Sequence, residues 1–166
     1  MTAALTLPVW PPAINPMWGR CAQIANAMRA KGAAEPFVVA TLTNGYAESA
    51  EKPLIVGDHD HAFSIWQWWW NPRGQRIFDK TGIDVRTETS ILKLVDALWW
   101  ELENVYPKTL VKLQAATNAQ DATRIFCIEI EGAGAPLAAD RRIAEAPFME
   151  VWVVQNAAFI AANPAK

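Results

Sequence analysis

The chain has 166 residues, 52% of them apolar and 19% charged, with a formal net charge of −2. That is enough chain for one domain with a real core. The slight acidity and the lack of any basic run argue against nucleic-acid backbone binding. No apolar stretch reaches the roughly 20 residues of a membrane span, and the opening Met1 to Pro8 lacks the charged and apolar regions of a signal peptide. Nine tryptophans are the compositional anomaly; tryptophan gathers where an apolar body meets a polar ligand or partner.

Residues 1–18 carry Pro8, Pro11, Pro12 and Pro16 with Trp10 and Trp18 between them. Repeated proline fixes φ and removes amide donors, which predicts an extended arm. From Arg20 to Lys31, Cys21, Ile24, Ala25 and Met28 recur at helical spacing, and Gly32 stops the helix. Pro36 suits the first turn of a second helix buried through Phe37, Val38, Leu42 and Tyr46, and Pro53 bars its continuation much beyond Ser49. Glu48 therefore falls in the last turn.

Gly57 to His61 reads as a turn, Phe63 to Trp70 as a short strand or an aromatic loop, and Asn71 to Gly74 as another turn. Gln75 to Lys80 form a short helix closed by Gly82. Ile91, Leu94, Val95, Leu98, Leu102 and Val105 make the best helical stripe, which predicts the central core helix. Pro107 opens a helix buried through Leu110, Val111 and Leu113, and Thr117 to Gln120 is a capping-box pattern opening another. A further helix is expected over about Leu137 to Ala146, with Pro147 opening a last one through Trp152 and Phe159.

The chemistry concentrates around Glu48. The carboxyl-terminal end of a helix carries partial negative charge, and an aromatic neighbour excludes water; both favour the protonated acid. Trp66, Trp68, Trp69 and Trp70 cannot all be buried on one side of a strand, so at least one should line a cleft or an interface. Asp58-His-Asp-His61 has three readings: a metal site, a solvated turn bordering the cleft, or a source of the second carboxylate. On an extended segment its residues alternate, giving one Asp/Asp face and one His/His face. No third metal ligand is signalled, and no metal is expected. Cys21 and Cys127 fall on apolar helix faces and read as buried free thiols, with a disulfide or a Cys127 pairing with His59 or His61 as the alternatives.

Asn44-Gly-Tyr-Ala-Glu-Ser49, Gly57-Asp58 and Ala62 to Trp68 resemble the GN-x-x-x-ESG, GDG and GLxQW blocks of the phage tail lysozyme family. Gln75 to Phe78, Leu98 to Leu102, and Ala119 to Glu131 with Arg141-Arg142 resemble its later blocks, so the similarity runs from about Gly19 to Ala146. The resemblance implies a mainly α, lysozyme-like domain over 19–146 with a small hairpin or loop flanking the cleft. The arm over 1–18 and a C-terminal helix over 147–166 lie outside it. It implies cleavage of peptidoglycan glycan strands by hydrolysis or transglycosylation, without cofactor, in a phage tail that opens the cell wall locally during DNA injection. Glu48 is then the acid, and Asp58, on the family's aspartate, or Asp60 is the second carboxylate. The glycines that follow that aspartate in the family are His59 and Asp60 here. Gln67 is placed to bind a sugar N-acetyl group, with Tyr46, Trp66 and Trp68 as further substrate contacts. Glu131 stands on the glutamate of an ERPG-like block and is expected to pair with Arg141 or Arg142. Other tail or baseplate subunits are the expected partners, and a non-catalytic tail protein keeping this fold is the rival reading.

Overall fold

The computed structural model describes residues 16–132 and 136–165. Its helices are α1 (Pro16–Ala30), α2 (Glu35–Ser49), α3 (Gln75–Thr81), α4 (Ile91–Asn104), α5 (Pro107–Ala115), α6 (Ala119–Glu129), α7 (Pro136–Gln155) and α8 (Ala157–Ala161). Between α2 and α3 lie three short antiparallel strands, β1 (Val56–Gly57), β2 (Ala62–Phe63) and β3 (Trp68–Trp69), in the order β1-β2-β3. Gly57 pairs with Ala62, and Ala62 in turn with Trp69. The fold is mainly α with a small sheet. None of the described helices is long and apolar enough to cross a membrane.

The central helix is α2, not α4 as the sequence periodicity suggests. Every residue from Phe37 to Gly45 is buried, and α1, α6 and α7 pack around it. A helix enclosed on all sides has no amphipathic stripe for periodicity to detect. Its polar residues are satisfied within the helix. Thr41, Thr43, Asn44 and Ser49 each donate to the carbonyl four residues back, at 2.9, 2.8, 2.8 and 3.0 Å. Helix α4 is amphipathic as read and packs on α1, and Trp99 from it stacks on Phe37 of α2 with ring centroids 6.0 Å apart.

Several expectations are corrected. The first helix begins at Pro16, so Trp18 is a core residue stacked on Trp152 at 4.8 Å rather than part of an arm. Pro16 is placed at a helix start, where its missing N–H has no partner to lose. Trp10 lies outside the described residues. In α5 it is Thr109 and Leu113 that are buried, whereas Val111 is 68% exposed. The cap of α6 is Asn118, whose Oδ1 accepts from the Asp121 amide at 2.8 Å, not Thr117.

Pro147 does not open a new helix; it sits inside α7. Ala139, Arg142, Ala146, Met149 and Val153 keep one buried stripe on both sides of it. Pro147 itself is on the exposed side, where water can satisfy the carbonyl that it leaves unpaired. Packing of the shared stripe thus outweighs the proline penalty of about 3 kcal/mol. Beyond it, α8 is tied back to α1 by Asn26, whose Nδ2 donates to the carbonyls of Ile160 and Asn163 at 2.6 and 2.9 Å.

Candidate active site

Helix α2 ends where the backbone turns left-handed at Ala50 and Glu51, with φ of 49° and 58°. Arg20 from α1 holds that turn, donating from Nε to the Glu51 carbonyl at 2.5 Å and from Nη2 to the Ala50 carbonyl at 3.3 Å. Glu48, in the last turn of the helix, is thereby fixed at the wall of a cleft of about 540 Å3. The hairpin supplies Asp58, Gln67 and Trp69 to the same cleft, the turn after β3 supplies Arg73, and the chain leaving α6 supplies Glu131.

Arg142 of α7 reaches Glu48 from the buried side. Its Nη2 donates to Glu48 Oε1, while Nη1 donates to Asn44 Oδ1 at 3.0 Å and to Cys127 Sγ at 3.5 Å. A guanidinium only donates, so the Glu48 oxygen facing it acts as an acceptor. Burial is the main reason that the Cys127 thiol is pushed up, which disfavours the thiolate that a nucleophile needs. Both cysteines are free and buried.

On the other side of the cleft, Glu101 of α4 is buried and accepts from Trp68 Nε1 at 2.9 Å and from Arg73 Nε and Nη2 at 2.5 and 2.8 Å. This bidentate pair sets the position of Arg73, and with it the wall beside Glu131. Burial pushes the Glu131 carboxyl up to about 8; the Arg73 guanidinium opposes this and the Glu48 charge adds to it. The residue as a whole is only part-buried, but its Oε1 is enclosed without a hydrogen-bond partner. Glu131 does not pair with Arg141 or Arg142 as the sequence suggests. Arg141 bonds Glu145 at 2.9 Å, one turn along its own helix, and Arg142 is taken by Glu48.

The other expected site residues divide. Gln67 is in the cleft, held in a left-handed conformation at φ 48° with its Nε2 donating to the Ser64 carbonyl at 2.9 Å. Its Oε1 lies so close over Gly57 that a Cβ there would force the amide to move. Asp58, His59 and Asp60 are all left-handed, at φ of 47°, 53° and 67°, so the segment is a tight turn rather than an extended one. The alternation expected of Asp58 and Asp60 is therefore lost. Asp58 lines the Glu48 cleft, whereas Asp60 lines a separate recess of about 450 Å3 beside His61, Trp70 and Arg86. Among the described residues, no three histidine, cysteine or acidic side chains are grouped to hold a metal.

Trp66 and Trp68 are not sugar platforms. Both are fully buried, stacked edge to face at 5.4 Å, and Trp66 Nε1 donates to the Thr41 carbonyl at 3.3 Å. They pin the hairpin to α2 and α4. The aromatic wall of the cleft is instead Trp69, 51% exposed and backed by His61 at 5.7 Å. Tyr46 points elsewhere, into an apolar groove with Trp18, Phe148 and Trp152.

Some of what the sequence reading missed left a signal. Arg142 occupies a buried position of the α7 stripe while Arg141 faces out, and Glu101 interrupts the apolar face of α4 between Leu98 and Leu102. A charged residue on an apolar face needs a partner, and both have one.

The family model for phage tail lysozyme matches residues 20–149. No curated protein and no solved structure matches the chain.

Proposed function

This chain belongs to the phage tail lysozyme family, and we propose that it cleaves the glycan strands of peptidoglycan at the cleft around Glu48. Family membership makes it a tail-associated, lysozyme-like protein. The observation that carries the finer reading is the meeting of two glutamates, Glu48 and Glu131, with a polar clamp at Gln67 and an exposed indole at Trp69 in one cleft. Most glycosidases use two carboxyl groups flanking the bond, an aromatic face can stack a sugar ring, and a side-chain amide can hydrogen-bond an N-acetyl substituent. In a phage tail, such an activity opens the wall locally as DNA is injected. Asp58, at the same wall, is within this reading as a group that orders substrate or water.

Glu48→Gln tests the reading. The variant should fold as the wild type does and lose strand cleavage by about 10²–10⁴-fold, the usual worth of one acid–base group. Sacculi digested by the wild-type chain should release muropeptides with reducing or anhydro ends, not free peptides. A second reading, a tail subunit that keeps the fold without catalysis, draws on the Glu48–Arg142 pair, since a structural ion pair needs no substrate. It predicts no release by wild type and variant alike.

A further inference from the structure

Apart from the Glu48 cleft, α1, α2 and α7 form an apolar groove of about 210 Å3, lined by Trp18, Tyr46, Phe148, Met149 and Trp152, with Glu145 also on its wall. Phe148 is half exposed and Tyr46 is partly so, which brings the aromatic lining to the surface. Two polar atoms of the lining residues are unsatisfied among the described residues. Trp152 is 4% exposed, and its Nε1 is enclosed without a hydrogen-bond partner. Glu145 accepts from Arg141 at Oε1, but its Oε2 is enclosed and unpartnered as well. An orphaned indole N–H and an orphaned carboxylate oxygen each cost stability, so their meeting in one groove calls for a reason. A peptide strand lying along the groove answers both, with a carbonyl for the indole and an N–H for the carboxylate. Aromatic grooves are the usual seat of proline-rich strands, whose fixed backbone loses little entropy on docking.

This chain carries such a strand next to the groove. Pro8-Val9-Trp10-Pro11-Pro12 precedes α1 and lies outside the described residues. Only Ala13, Ile14 and Asn15 separate it from Pro16, where α1 begins, and Trp18 two residues further on is already part of the groove. The four steps from Pro12 to Pro16 span up to about 12 Å in a polyproline conformation, so the strand starts within reach. The strand, Trp18 and its stacking partner Trp152 all flank residues 20–149, which match the family, and are thus no part of the matched domain.

We propose that the groove seats the chain's own segment Pro8 to Pro12, with a main-chain carbonyl of that segment accepting from Trp152 Nε1. The segment has backbone amides only at Val9 and Trp10, so one of these, or the Trp10 indole, donates to Glu145 Oε2. Tethering favours this occupant over a free partner, because a short link sets an effective concentration in the millimolar range. The seated strand braces α7 against α2, the two helices that carry Arg142 and Glu48, and leaves the cleft itself open. The proposal does not depend on glycan cleavage.

The test uses the full chain as wild type, Trp10→Ala, Phe148→Ala and the double variant. Each single variant should lower the thermal midpoint by about 2–4 °C. The double variant should fall by clearly less than the sum, since both substitutions remove the same contact. Strict additivity, or an unchanged midpoint in Trp10→Ala, overturns the seat. Hydrogen exchange at the Trp152 indole, assigned by the signal lost in Trp152→Phe, gives a measurement that does not depend on stability differences at Phe148. Exchange should be about ten-fold or more faster in Trp10→Ala than in wild type under native conditions. Equal rates overturn the proposal and leave water as the partner of the indole. Light scattering separates the remaining occupant. A monomeric wild type supports seating within one chain, whereas a dimer that Trp10→Ala dissociates overturns it in favour of a second copy's strand.

Discussion

Glu48 and Arg142 are 94 residues apart in sequence, yet one hydrogen-bonded ion pair joins them across the interface of α2 and α7. The pair is mostly enclosed, and the guanidinium serves Asn44 and Cys127 as well. Arg142→Met strips three acceptors of their donor and leaves Glu48 uncompensated. Breaking such a pair costs about 3–5 kcal/mol when it is fully buried, and slightly less is expected here because Glu48 keeps some contact with water. Arg142→Lys should recover only part of the loss, since an ammonium cannot reproduce the planar fork. Urea unfolding of the two variants measures both effects.

Trp68 and Trp69 are neighbours with opposite fates. Trp68→Ala should destabilise the fold by about 3–5 kcal/mol through the cavity it leaves, and it also removes the donor to Glu101. Trp69→Ala should change stability little, because half of the side chain is in water, but it should weaken retention on sacculi. Thermal melts and a pull-down on sacculi separate the two. Equal melting losses would mean that Trp69 is part of the core.

Glu51 offers a stabilising substitution. It is fully buried, both carboxylate oxygens lack partners, and its side chain presses on Gly45, where a Cβ would stand 2.5 Å from Oε2. Burial pushes its carboxyl well above the ordinary value of 4.5, with Arg20 opposing. The folded chain therefore holds a proton that the unfolded chain has released, and stability falls as pH rises from about 4.5 through the raised folded value. Glu51→Met, unbranched and similar in length, should gain about 1–3 kcal/mol at neutral pH. The gain should shrink below pH 4, where both states are protonated and only the cost of the unpartnered neutral oxygens remains. Denaturant curves at pH 4 and pH 7.5 provide the comparison, and a variant less stable at both would contradict this account.

Asp58 and Asp60 should behave independently. Asp58→Asn alters the Glu48 cleft and should slow strand cleavage, whereas Asp60→Asn changes only the neighbouring recess and should leave the rate alone. A double variant worse than the product of the singles would show that both act on one substrate group.

The helices were legible in the sequence because caps, prolines and glycines mark their ends. Pro36, Gly82 and the end of α2 near Ser49 all stand where local chemistry puts them. Periodicity exposed α4 but underrated α2, whose enclosure erases the polar face that periodicity needs. Tryptophan identity alone could not distinguish Trp69 from Trp66 and Trp68; the hairpin register and the acceptors at Glu101 and Thr41 decide which ring is inside. Glu131 and Arg142 were visible as residues, but the place of the first in the cleft and the pairing of the second with Glu48 depend on how α6 and α7 pack against α2. Glu51 gave no local warning at all, because it directly follows the end of α2 in a stretch that reads as solvated.

The stacked rings of Trp18 and Trp152, with the bonds from Asn26 to the carbonyls of Ile160 and Asn163, join the first described helix to the last. Such closure delays core formation during synthesis, because contacts between distant segments form only after loop entropy has been overcome. A chain leaving the ribosome can build α2, the hairpin and α4 early, but the part of α1 that carries Trp18 and Asn26 stays uncovered until α7 and α8 emerge. Stalled or prematurely ended translation products should therefore be prone to aggregation even when they carry the whole cleft.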